Sequence, residues 1–295
     1  MSETQIELKN IEKSKTKDNE SYIMMVAGRF MKHKLAVAGL GLMILLILCA
    51  ILAPVIAPKD PYHVTNAFGA APTAEHILGT DQSGRDVLSR LIYASRVSLI
   101  VGVGTVVISI SIGTILGLVS GYFGGWIDMV IMRITDIFMS FPQIMLILVV
   151  VSIIGPSLWN IIAVLGFLGW PSVTRLVRGS VLSEKENDYV KAAVSLGLST
   201  PRILFIQILP NTVAPIIVNA TFGIAYAILL EAALSFLGMG VQPPAASWGN
   251  MLTDAQSLSV LTSKPWLWVP PGIMIFLSVL AVNFIGDGLR DAFDR

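Results

Sequence analysis

Five stretches of this chain rich in Leu, Ile and Val contain no Asp, Glu, Lys or Arg and are each at least 22 residues long: 35–57, 97–127, 137–174, 203–230 and 265–286. A bilayer core about 30 Å thick is crossed by roughly 20 apolar helical residues, so every run is long enough to span one. The third run, as one helix, would be about 57 Å long at 1.5 Å per residue. Gly155-Pro156-Ser157 interrupts it, so it reads as two spans. Unpaired backbone groups are not tolerated in lipid, which leaves helix as the reading for runs this rich in Leu, Ile and Val. Six helices are expected, at 35–57, 97–121, 128–154, 158–175, 211–237 and 266–287, and the fold class is an all-α polytopic membrane protein. Composition agrees. Hydrophobic residues make up 54% of the chain and charged residues 13%, where an ordinary soluble domain has about 25% charged.

An even number of spans puts both termini on one side, and the Lys/Arg balance says which. Fourteen basic residues fall in 1–34, 175–202 and the end after Gly286, against five on the other face: Lys59, Arg85, Arg90, Arg96 and Lys264. Both termini are therefore expected in the cytoplasm. Trp126, Trp159, Trp170, Trp248, Trp266 and Trp268 fall near span ends, as an interfacial belt requires. The expected division is a tail and interfacial helix over 1–34, the first span at 35–57, an external segment at 58–96, a five-helix core at 97–287 with a cytoplasmic loop at 176–210, and a C-terminal end at 288–295.

Several function classes fall away. A net charge of +1 carries no basic excess for nucleic acid. One cysteine, Cys49, excludes an internal disulfide, and three histidines make no metal cluster. A cleavable signal peptide is not expected, because 34 residues precede the first run. Leu46-Ile47-Leu48-Cys49 is a poor lipoprotein cleavage site, with Leu48 where a small residue is wanted. A secondary transporter acting alone would need ionisable groups near mid-membrane and usually an internal repeat; no clear repeat is present, and the charges sit toward span ends. An intramembrane enzyme would need a nucleophile-base pair or metal ligands in the spans, and His-Glu-x-x-His is absent.

Outside the membrane, residues 1–20 read as a disordered tail and 22–34 as an interfacial helix. In the second half of the external segment, Val87, Leu88, Leu91 and Ile92 share one helical face, with Arg85, Asp86 and Arg90 toward the other. The longest internal loop is the most informative. Ser183 followed by Glu186 is a capping-box pattern, so a helix is expected to start there. Its apolar face would be Val190, Ala193, Val194 and Gly197; Gly197 can end it left-handed, and Thr200 before Pro201 can cap a second helix. A compact helix, glycine turn, helix follows, with Pro210 marking the start of the fifth span.

The segment Lys191-Ala192-Ala193-Val194-Ser195-Leu196-Gly197, with Ile208-Leu209-Pro210 after it, resembles the EAA loop of ABC-importer permeases: Glu-Ala-Ala, three residues, Gly, then Ile-x-Leu-Pro. Lys191 stands in the Glu position and Gln207 in the Ile position, while Ala-Ala, Gly and Leu-Pro keep their spacing. Gly79-Thr80-Asp81, 84–90, 120–125, 230–238, Trp248-Gly249-Asn250-Met251 and 283–291 resemble, in order, the C-type subunit of the dipeptide/oligopeptide/nickel permease family. The resemblance implies a type I importer permease fold in a bacterial or archaeal cytoplasmic membrane. It implies half of a pathway for di- or oligopeptides, or a related solute such as a nickel complex. The implied partners are a homologous second permease, one or two ABC ATPase subunits and an extracytoplasmic solute-binding protein. With no Gly-x-x-x-x-Gly-Lys-Ser/Thr, the chain cannot cradle ATP in a P-loop; ATP and Mg belong to the partners, and no cofactor, catalytic residue or metal site is expected here. The scarcity of soft ligands tilts the cargo toward peptides. The implied ATPase-coupling residues are Glu184, Tyr189, Lys191, Ala192, Ala193, Gly197, Pro201, Ile208, Leu209 and Pro210.

Charges near membrane depth are the usual functional candidates. Glu231, Asp136 and Arg133 are the candidate pathway or gate residues; Arg133 and Asp136 are three apart and can pair on one helix face. Asp128 lies nearer the inner end of the same span, and Asp287 closes the sixth. Their alternative role is as internal ion pairs and helix-end anchors. Pro142, Pro171 and Pro215 lie in or near spans, where proline kinks a helix or shapes its packing.

Overall fold

A computed structural model describes residues 22–294; the tail expected over 1–20 lies outside them. The long helices are α1 (Tyr22–Lys32), α2 (Lys34–Ile51), α3 (Val87–Phe123), α4 (Gly125–Met139), α5 (Gln143–Ile154), α6 (Leu158–Glu184), α7 (Asp188–Ser195), α8 (Thr200–Phe236) and α9 (Pro265–Phe293). Among the described residues α2, α3, α6, α8 and α9 are long and apolar enough to cross a membrane, and α4 with α5 makes a sixth crossing if the bent pair counts as one.

Several boundaries differ from the sequence reading; α6 runs on to Glu184, α8 starts at Thr200 and α9 runs on to Phe293, and the first three spans differ for local reasons. The first span stops at Ile51, and Pro54 opens a separate turn, Ala53–Ile56. The second starts at Val87, well before the uncharged run, because Asp86 caps it: Asp86 Oδ2 accepts from the Ser89 amide at 2.8 Å and the Ser89 hydroxyl at 2.7 Å. The amphipathic stretch of the external segment is thus the first turns of α3. Its polar face is not solvated, since Arg90 is buried against Asp81 at 3.3 Å. The third span is no straight rod; α4 and α5 meet at 84° across Ser140-Phe141-Pro142, where proline withholds an amide from the helix ladder. Pro171 and Pro215 sit inside α6 and α8. The tryptophans divide: Trp126 and Trp159 are exposed, as an interfacial belt requires, whereas Trp170 and Trp248 are buried in the protein.

The bundle is organised by α3 and α6, which run in the same direction in close contact. A side chain added at Gly113, Gly117 or Gly121 would put its Cβ 2.5, 2.6 or 2.7 Å from the Cβ of Val173, Val177 or Val181. On the other helix Gly166 admits Ile108 in the same way, at 2.6 Å. Lipid supplies no hydrophobic drive between helices, so small residues that let backbones approach are what hold such a pair. Gly39 plays the same part between α2 and α9, where a Cβ would meet the Ala281 carbonyl oxygen at 2.7 Å.

Gly117→Ala is expected to destabilise the protein by about 1–3 kcal/mol through overpacking. Gly179→Ala on α6, whose added methyl meets nothing within 4 Å, is expected to be neutral or mildly stabilising, because alanine is the better helix former. Thermal unfolding in detergent reads the difference, and equal midpoints for the two variants would show that the contact does not hold the helices.

Candidate functional site

Two features stand out: the loop around α7 and a cleft in the side of the bundle. α6 runs through Ser183 to Glu184, so the capping-box pattern starts no helix there; α7 begins at Asp188, after Asn187 in extended geometry. Gly197, at φ +71°, closes α7, with its amide on the Val194 carbonyl at 3.0 Å and the Leu198 amide on the Ala193 carbonyl at 3.2 Å. That pairing is a Schellman end, which requires the left-handed residue. Ser199, not Thr200, flanks the start of α8, and Pro201 occupies its first turn, where a missing amide costs nothing.

The expected apolar face of α7 splits in two. Val190 and Ala193 are buried with Ile203, Leu204 and Ile208 against Val177 and Val181 of α6. Val194 is 53% exposed, and beside it Leu196 is 80% exposed, with Ala192 also at the surface. Polar ties fix the frame. The Tyr189 hydroxyl donates to Glu184 and accepts from Asn211 Nδ2 at 3.0 Å, and Asn187 Nδ2 donates to Glu184 at 2.9 Å. Burial, together with that Glu184 contact, pushes the Tyr189 phenol above its ordinary range, so it remains a donor. Lys191 reaches Glu186 at 3.6 Å on the surface; Pro201 and Pro210 are exposed and Leu209 half-buried. After Arg202 the chain forms a π-helical segment, Ile203–Ile208, before regular helix resumes.

The structure redistributes the charged candidates. Asp136 pairs with Arg175 of α6 and not with Arg133, which is exposed and forms no ion pair among the described residues. Asp128 is held by Arg178 through two parallel bonds, both 2.6 Å, and by the Ser120 hydroxyl. α9 continues past Asp287 to Phe293. Glu231 is 0% exposed. Its Oε1 accepts from Ser235 at 2.6 Å and from Ser247 at 2.7 Å. Ser247 opens the turn Trp248–Met251, whose Asn250 side chain completes a capping box. Trp248, fully buried, donates its backbone amide to Ser98 Oγ at 3.1 Å and its indole N–H to the Leu91 carbonyl at 3.3 Å. Glu231 therefore pins the 238–256 hairpin to the bundle.

None of the three pathway or gate candidates, Arg133, Asp136 and Glu231, lines the cleft. A cleft of about 230 Å³ lies between α3, the α4–α5 bend, α6 and α8, walled by Thr105, Phe138, Gln143, Ser172, Asn219 and Tyr226 among others. Phe138 stacks edge-on against Trp170 at 5.5 Å behind it. The sequence reading missed this site. Its signals were neutral polar residues inside uncharged runs, which a search for charges passes over.

Residues 113–295 match the family described as binding-protein-dependent transport system inner membrane component, and residues 21–72 match the N-terminal transmembrane domain of oligopeptide transport permease C. The chain belongs to this transport family. It is 46% identical over 265 residues to the dipeptide transport system permease protein of Alkalihalophilus pseudofirmus, covering 89% of this chain and 86% of that one. It is 43% identical over 272 residues to the di/tripeptide transport system permease protein of Pseudomonas aeruginosa, covering 90% and 89%. Its fold matches a chain of the MetNI methionine ABC transporter in an inward-facing conformation, with a TM-score of 0.58 and 18% identity over 70% of this chain and 97% of that one. The protein is a multi-pass permease subunit of the cytoplasmic membrane, with the permease fold of an ABC importer.

Glu231→Ala is expected to release the hairpin, since each of two buried hydroxyls loses its acceptor at about 1–3 kcal/mol. Glu231→Gln keeps an accepting oxygen and is expected to stay close to the parent. Labelling of a cysteine placed at buried Ala246, with Cys49 replaced by alanine, reads the release; equal protection in parent and Ala variant removes Glu231 as the anchor.

Proposed function

We propose that this chain forms half of the translocation pathway of an ATP-driven importer of di- or oligopeptides, with both termini in the cytoplasm. A homologous permease supplies the other half, and one or two ABC ATPase subunits bind ATP and Mg. An extracytoplasmic binding protein delivers the cargo. The peptide assignment leans on the relatives, whose names specify dipeptides and di/tripeptides.

One observation carries the coupling reading: the α7 turn exposes Val194 and Leu196 while Val190 and Ala193 lock the same turn into the body of α6. An exposed apolar knob on a rigid base is what docking into a groove of another subunit needs, because its motion then moves the bundle as a unit. Ala192, Lys191 and Gly197 belong to the docking surface. Glu184 and Tyr189 brace it, and Ala193, Ile208 and Leu209 seat it. Pro201 and Pro210 set where the flanking helix turns and enters the membrane. Asp136, through Arg175, fixes α4 on α6, and Glu231 fixes the hairpin at the other end.

Purification of the tagged subunit from its native membrane in mild detergent is expected to bring down a second permease and ATPase subunits. A solitary folded protein that transports without ATP would overturn the proposal. Gly197→Asp adds a charge to the docking surface at a φ of +71°, where only glycine is free of strain. The expected outcome is normal abundance with ATP hydrolysis uncoupled from uptake; normal uptake at normal abundance would sink the coupling role.

A further inference from the structure

The cleft between α3, the α4–α5 bend, α6 and α8 carries no Asp, Glu, Lys, Arg or His on its walls. What it does carry is a set of neutral donors and acceptors with capacity to spare. The Tyr226 hydroxyl bonds Gln143 Oε1 at 3.2 Å across the mouth of the bend, which leaves Gln143 Nε2 without a partner among the described residues. Asn219 on α8 likewise makes no side-chain bond among them. Deeper in, Thr105 is 6% exposed and its Oγ1 has no hydrogen-bond partner. Its neighbour Ser109 shows what a satisfied hydroxyl looks like there, bonded to the Thr105 carbonyl at 3.0 Å and the Gly166 carbonyl at 2.9 Å.

We propose that this cleft is a recognition subsite for the amide backbone of the cargo, read by Gln143, Asn219 and Tyr226. The inference rests on the peptide reading above and specifies how a peptide would be recognised. A peptide unit offers one N–H and one C=O, and side-chain amides and hydroxyls can satisfy both. A charged side chain entering the same space would lose water without finding a counter-charge, a large penalty. The site therefore reads what all peptides share and stays indifferent to the sign of their side chains, while Phe138 and Phe141 offer apolar surface beside it.

The test uses the complete transporter with its binding protein in proteoliposomes, supplied with labelled Ala-Asp or Ala-Lys. Gln143→Glu introduces a charge and is expected to lower uptake of Ala-Asp at least about fivefold relative to Ala-Lys, since like charges repel strongly in a desolvated site. Stimulation of ATP hydrolysis by loaded binding protein is expected to persist. Tyr226→Phe removes one hydroxyl and is expected to lower uptake of both dipeptides roughly two- to tenfold at unchanged abundance, the range of one lost hydrogen bond. If Gln143→Glu leaves the Ala-Asp to Ala-Lys ratio at the parent value, the subsite is overturned while the peptide reading stands. If that variant does not assemble, unchanged uptake by Tyr226→Phe overturns it equally. A parent transporter that moves neither dipeptide overturns the peptide reading and the subsite together.

Discussion

The close approach of α3 and α6 is the constraint on which the rest of the structure depends. In lipid two helices gain little by touching unless their backbones come near enough for dense packing. Gly113, Gly117 and Gly121 permit that against Val173, Val177 and Val181. The contact then sets everything adjacent to it. Its middle supplies one wall of the cleft, where Ser109 bonds across to Gly166. Toward the α7 loop, Arg178 and Lys185 of α6 reach Asp128 and the Gly121 carbonyl, tying α4 and α3 to the same axis. Val177 and Val181 have a second face under Val190 and Ala193. The loop and the helix pair thus share side chains, which is the contact the proposed coupling role relies on.

The charged residues follow a second rule: titratable groups sit where a charged partner or water reaches them. Asp128, Asp136, Arg175 and Arg178 serve to fasten helices to one another. Glu231 is the exception, since it is wholly buried and meets hydroxyls where a counter-charge would otherwise stand. One of the groups it holds, Ser247, belongs to the hairpin that carries Trp248 into the packing between α3 and α8. A cleft without charged walls is the complement of this arrangement. The polar groups left facing the cleft are those that helix packing had no use for.

Much of the architecture was legible in the chain. Each uncharged run overlaps a helix long and apolar enough to cross a membrane or the bent α4–α5 pair, because burial of a charge in lipid is costly. Gly197 was legible as the end of α7, since a left-handed Schellman residue is a local demand. The spacing of four between Gly113, Gly117 and Gly121 was equally available as a helix-contact signal, though uncharged length alone does not draw attention to it. Less was legible where two elements compete for the same residues. Ser183 and Glu186 have the right pattern for a helix start, but α6 outruns it to Glu184, and Asn187 becomes the flanking residue instead. Arg133 and Asp136 have the right spacing to pair, yet Arg175 on another helix offers Asp136 a partner that spacing along one helix cannot reveal.

By itself, then, the sequence determined that this is a helical membrane protein, where its crossings lie, and which loop has a compact helix-turn-helix form. These properties follow from hydrophobicity, period and backbone conformation, all read within a few turns of chain. Only the tertiary structure decided which charges pair, that Val194 and Leu196 face outward while Val190 faces inward, that Trp248 is core, and that Thr105, Gln143, Asn219 and Tyr226 meet around one cleft. Those four residues are separated by up to 121 positions, and nothing local distinguishes a neutral polar side chain aimed at lipid from one aimed at a cavity; the difference is made by the neighbour that helix packing brings to it.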